Sequence, residues 1–184
     1  MRQTSLRLGL LLNPMAGIGG AVGLKGSDGP EIQALAKQRL GQPQAAQRTQ
    51  IFLQQMKALL GSQIENIQWL TWADDMGADV LMNEGLAALV LGHGTVPSCG
   101  EDSQVAAKTI SAEGVDLLIF AGGDGTARDV LLGVDEQTTV LGLPAGVKMH
   151  SGVFAISPAA GAEVVASLVV GGLVGRMARE VRDY

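Results

Sequence analysis

Apolar residues in this chain fall in short, nearly unbroken runs, separated by stretches where they recur every three or four positions. Five runs read as strands: residues 6–13, 64–71, 86–91, 115–121 and 139–143. Four of them are largely apolar, the pattern of parallel strands buried on both faces. The second, IENIQWLT, alternates more and belongs nearer an edge. Helical patterns lie between the strands. Residues 30–40 open with Pro30 and Glu31, as first turns often do. Residues 50–60 place Ile51, Met56, Leu59 and Leu60 on roughly one face and stop at Gly61. Ser98-Cys99-Gly100-Glu101 has capping-box spacing ahead of DSQVAAKTI. Ser157 and Pro158 open the last helix as N-cap and first residue. Asn83-Glu84 reads as a turn before the third strand. Trp69, Trp72 and the stretch around Met76 and Met82 read as core or its cover. Strands and helices alternating at this spacing predict an α/β domain with a doubly wound, mostly parallel sheet.

Composition narrows the picture. With 184 residues the chain suits one domain, and 47% hydrophobic content with only 3% aromatics calls for a core of Leu, Val, Ile, Ala and Met. A net charge of −5, with no basic run and no ladder of aromatics, argues against a nucleic-acid partner. The single cysteine, Cys99, excludes an internal disulfide framework and fits a reducing compartment. Cys99, His93 and His150 lack metal-ligand spacing, so no protein-held metal is expected. The apolar run 8–12 is too short for a signal peptide, and the tract 164–174 too short for a membrane span. The expectation is a soluble cytoplasmic protein with no membrane partner.

Glycine is the outlier. There are 26, about twice the usual share, and they gather in loops. Three such loops follow the first, fourth and fifth strands: NPMAGIGGAVGLKGSDG, GGDGT and LPAGVKMHSG. In an open α/β sheet these ends face one crevice, where ligands bind. The first loop is not a dinucleotide fingerprint, because Val22 stands where the third glycine belongs, and GLKGS is not a Walker A sequence. In GGDGT, Asp124 or Thr126 could simply cap a helix, but two preceding glycines exceed what a cap requires. Side-chain-free residues let phosphate oxygens reach backbone N–H groups at a helix start. Asp124 then has two possible tasks, accepting a hydroxyl proton or organising Mg²⁺ around phosphates. Lys148 is a solvated loop lysine or a point charge on a phosphate. His150 reads as a hydrogen-bonded loop residue.

These motifs resemble the NAD kinase and diacylglycerol kinase superfamily. NPMAGIGGAVGLKGSDG, FAGGDGTARDV and LGLPAGVKMHSGVFA, in that order, are similar to the predicted polyphosphate/ATP-NAD kinases, a branch related to AcoX-type proteins. The resemblance spans residue 8 to about residue 182. It implies transfer of a phosphoryl group from ATP or polyphosphate to the 2′-hydroxyl of NAD, with Mg²⁺ as the accompanying cation. It makes Asp124 the general base, Gly122, Gly123, Gly125 and Thr126 the phosphate cradle, and Asn13 a residue that places the nucleotide. It further implies that residues 1–184 are the nucleotide-phosphate-binding domain, that the β-rich second domain carrying an Asn-Glu motif is absent from this chain, and that the full-length protein is a homo-oligomer. Asn83-Glu84 precedes GGDGT and is not that motif. The Pro-Ala-Gly form of the last loop leans toward the lipid-kinase side. Two alternatives therefore stay open: a kinase for a lipid or other small-molecule hydroxyl, and a non-catalytic nucleotide-binding or regulatory module of the AcoX kind.

Overall fold

The computed structural model describes residues 5–18, 43–146, 149–172 and 175. The expected helix at 30–40, most of the first glycine loop, Lys148 and the charged C-terminal residues lie outside them. Five strands form one parallel sheet: β1 (Leu6–Leu12), β2 (Ile67–Thr71), β3 (Ala88–Val90), β4 (Leu117–Gly122) and β5 (Val140–Pro144). Their order is β3-β2-β1-β4-β5. The chain winds outward from β1 to β3, then crosses back to place β4 on the other side of β1. This is a doubly wound α/β fold, and its switch point lies between β1 and β4.

The sidedness of β1 sets the two layers. Leu8, Leu10 and Leu12 point to one face, where they meet α1 (Ala45–Leu60), α2 (Ala78–Asn83) and α5 (Pro158–Val169). Leu11 points to the other, against α3 (Gly100–Ala112) and α4 (Asp124–Gly133). Gly9 lies on that second face too. A Cβ there would collide with Ile110 of α3, so the glycine lets the helix settle directly on the strand. Both tryptophans are buried, Trp69 in the first layer and Trp72 in the second. On the first layer α5 contributes Ala162, Val165 and Ala166, the last two from the apolar tract near the C-terminus. Among the described residues no helix is long and apolar enough to cross a membrane.

Several sequence expectations need correction. The second strand begins at Ile67, because residues 61–66 form a 3₁₀ turn that tucks Ile64 into the core. It lies between β1 and β3, next to the edge as expected; the third strand does depart from expectation, with Leu89 and Val90 nearly half exposed rather than covered on both faces. Helix α1 begins at Ala45, where Thr49 donates its hydroxyl to the Ala45 carbonyl, and its inward face is Phe52, Leu53, Met56 and Leu60. Ile51 and Leu59 face outward. Met76 is core, but Met82 is 69% exposed. Helix α3 is capped one residue later than its spacing suggests. Cys99 is the N-cap, and its N–H donates to Asp102 at 2.8 Å. Thr95 adds its N–H and its hydroxyl to the same carboxylate. Burial pushes the Asp102 carboxyl up, but these hydrogen bonds outweigh it and hold the group below its ordinary value. The turn before β3 falls at Glu84-Gly85, one residue later than expected because Asn83 still belongs to α2; the Ser157 cap, which accepts the Ala160 N–H at 3.1 Å, is as expected.

Candidate functional site

β1, β4 and β5 deliver their loops to one place. Asn13, the residue after β1, donates its backbone N–H to Ala121 of β4 at 3.0 Å. Its side chain donates from Nδ2 to Thr126 Oγ1 at 2.9 Å and accepts the Met15 N–H at 3.0 Å. Gly17, at φ +81°, brings this turn against the Ala145 carbonyl, where any side chain would collide. Ala145 in turn donates to the Gly122 carbonyl at 3.0 Å. The three ends are thus tied by backbone contacts that only small residues permit.

The GGDGT residues divide by role. Gly122 ends β4, and the Thr126 side chain folds back onto it so closely that a Cβ would clash. Thr126 is 3% exposed and serves as a buried peg joining α4 to Asn13. Gly123 is the N-cap of α4, and its carbonyl accepts the first helical hydrogen bond, from Ala127. A Cβ at Gly123 would meet Gly146 Cα at 3.6 Å, an ordinary contact. Packing among the described residues therefore does not require glycine at 123. Asp124 and Gly125 open α4, so Asp124 stands at the first helical position and caps nothing. The N–H groups of this first turn have no carbonyl partner within the helix, and the helix dipole makes them electropositive. That is the chemistry of a phosphate site.

Asp124 turns its carboxylate to the segment after β5. Oδ2 accepts the His150 N–H at 2.8 Å; Oδ1 accepts the Ser151 N–H at 3.0 Å and the Ser151 hydroxyl at 2.5 Å. Ser151 is 7% exposed. Beyond it, Val153 and Ala155 hydrogen-bond to Gly142 of β5, and the Phe154 ring packs edge-on to Phe120 with centroids 5.5 Å apart. The segment that meets Asp124 is therefore anchored on the sheet.

Asn13, Gly122, Gly123, Asp124, Gly125 and Thr126 are gathered at the switch point; Lys148 lies outside the described residues. Sequence reasoning missed Ser151 and Gly146, whose partners lie more than twenty positions away and leave no local pattern. Among the described residues no three His, Cys, Asp or Glu side chains gather to hold a metal ion. The arrangement can hold phosphate oxygens on backbone N–H groups with one oriented carboxylate beside them.

Comparison with known proteins adds one finding. The model of the ATP-NAD kinase N-terminal domain matches residues 9–173, which include all three loops. No curated protein and no solved structure gives a match. Such a match, over most of the chain, means that this protein belongs to the ATP-NAD kinase family of phosphotransferases and carries its N-terminal domain.

Proposed function

We propose that this protein transfers the terminal phosphoryl group of ATP or polyphosphate to the 2′-hydroxyl of NAD, giving NADP, with Asp124 as general base. The observation that carries this reading is the oriented Asp124 carboxylate at the start of α4, where the described ends of β1, β4 and β5 meet. The 2′-oxygen attacks the terminal phosphorus, and the bond from phosphorus to the β–γ bridging oxygen breaks. That oxygen leaves with the electron pair on ADP, or on the shortened chain when polyphosphate is the donor, and the hydroxyl proton passes to Asp124. Catalysis here is positioning and charge neutralisation. The α4 first turn holds phosphate, Gly123 leaves it room, and Asn13 with Thr126 keeps the two strand ends in register. We assign Lys148 a phosphate charge as well.

Mg²⁺ supplies further neutralisation when bound. Asp124 already accepts three donors, which suits a cation that takes most of its ligands from phosphate and water and one or two at most from protein. We place the protein in the cytoplasm and assign residues 1–184 to the phosphate-binding domain. In this reading a β-rich domain outside this sequence helps to hold the dinucleotide, and the assembled protein is a homo-oligomer.

Incubating the intact protein with labelled ATP or polyphosphate and NAD tests the proposal. Labelled NADP is expected, and Asp124→Asn should lower turnover about 10²-fold or more. Unchanged turnover in the variant would remove Asp124 from the mechanism. A second reading rests on the same three hydrogen bonds, which also suit an acid that only anchors a loop. That non-catalytic nucleotide-binding module would bind ATP whether residue 124 is Asp or Asn, and transfer nothing in either form.

A further inference from the structure

A carboxylate offers about four acceptor positions, two on each oxygen. In Asp124 both positions of Oδ1 are filled, by the N–H and the hydroxyl of Ser151. On Oδ2 one is filled, by the His150 N–H. Among the described residues no other group donates to this carboxylate, so the open position lies on Oδ2. The Ser151 hydroxyl bond is the shortest of the three, and it comes from a side chain almost wholly enclosed. The segment bearing it is fixed on both sides of the loop. Ala145 bonds to Gly122 before it, and residues 153–155 bond to Gly142 after it. A free carboxylate at a helix start would rotate among staggered side-chain rotamers. This one is clamped.

We propose that Ser151 is a positioning residue for the phosphoryl transfer: by holding Oδ1 it leaves Oδ2 as the oxygen that meets the substrate hydroxyl. The proposal rests on the kinase reading above. Ser151 itself touches no substrate. It acts through Asp124, as a second residue that locks the rotamer of a reacting group.

The test uses the intact protein with ATP and NAD. Ser151→Ala keeps both backbone donors and removes only the hydroxyl. It is expected to lower kcat about tenfold while KM for ATP and NAD stays within about twofold. Ser151→Thr, which keeps the hydroxyl, should recover most of the rate. In the Asp124→Asn background, Ser151→Ala should change kcat little further, since residues acting through one another are non-additive. Unchanged kcat in Ser151→Ala, or a loss that multiplies fully with that of Asp124→Asn, would overturn the proposal while leaving the kinase reading standing. A wild-type protein that phosphorylates nothing would overturn the kinase reading and the proposal together. Thermal melting of each variant separates a lost fold, which Thr would not restore selectively, from a lost orientation.

Discussion

Carboxylates in this protein are worth following one by one, because their surroundings assign them different work. The Glu84 side chain is only 7% exposed, and it accepts hydrogen bonds from Lys57 at 2.6 Å and from Gln50 and Gln54 at 3.0 Å. Its task is to tie α1 to the end of α2. The Lys57 bond is the largest influence on its carboxyl; burial opposes it, the two glutamines reinforce it, and the net value lies below the ordinary 4.5. A carboxyl depressed in the folded state stabilises the fold at neutral pH and loses that contribution as pH falls through the ordinary value and below. Glu84→Gln is therefore expected to cost about 1–3 kcal/mol at pH 7. The gap from wild type should be smaller at about pH 3 than at pH 7, because Glu84 takes up a proton as the pH falls through its lowered pKa and so comes to resemble the neutral glutamine. Urea unfolding at the two pH values measures this, and an equal gap at both would contradict it. Asp124 works differently, since its donors come from the loop after β5 and leave one position open. Its candidacy as a site residue is readable from GGDGT alone. Ser151 is not, because a serine 27 positions away announces no contact. Thr126 was legible as part of the motif, but its burial under Gly122 depends on how tightly β4 turns into α4.

Elements with long apolar runs, β1 and β4 above all, are legible because burial on both faces leaves an unmistakable composition. Ends and short pieces are less so. Helix α2 has six residues, too few for a period to show, and the cap of α3 depends on whether Glu101 or Asp102 turns back toward the chain. The strand-to-helix turn from β4 to α4 offers a sharper test of what its glycines are for. Gly122→Ala drives a methyl group into the Thr126 side chain and should destabilise the fold by about 1–3 kcal/mol. Gly123→Ala meets only an ordinary contact at 3.6 Å, and the extended backbone there (φ −115°) suits any residue. Its melting temperature should stay close to wild type, while ATP binding measured by calorimetry weakens about tenfold or more, because the new methyl group occupies space meant for phosphate. Normal binding by a well-folded Gly123→Ala protein would contradict a phosphate at this turn.

Across the whole molecule, topology makes the site. Winding outward to β3 and then returning to β4 leaves β1 and β4 as neighbours, with Asn13 just after one and Gly123 just after the other. β5 then brings the third loop alongside. Its edge is covered by residues 153–155, whereas at β3, the opposite edge, Leu89 and Val90 are nearly half exposed and no described strand pairs beyond it. The alternation of strands and helices foretold the parallel sheet, and the positions of the glycine loops foretold a meeting point at the ends of β1, β4 and β5. The pairwise ties that close it, Asn13 to Thr126, Ala145 to Gly122 and Asp124 to Ser151, come from three-dimensional proximity that no local pattern encodes. The family places this architecture among phosphotransferases, and the central claim is that its acceptor is the 2′-hydroxyl of NAD. Phosphorus NMR of the intact protein incubated with ATP, Mg²⁺ and NAD tests it most directly. The account predicts a new phosphomonoester signal of a 2′-phosphate, growing in step with ADP. Continued absence of that signal, with NAD unchanged while ATP is intact or merely hydrolysed to inorganic phosphate, would contradict it.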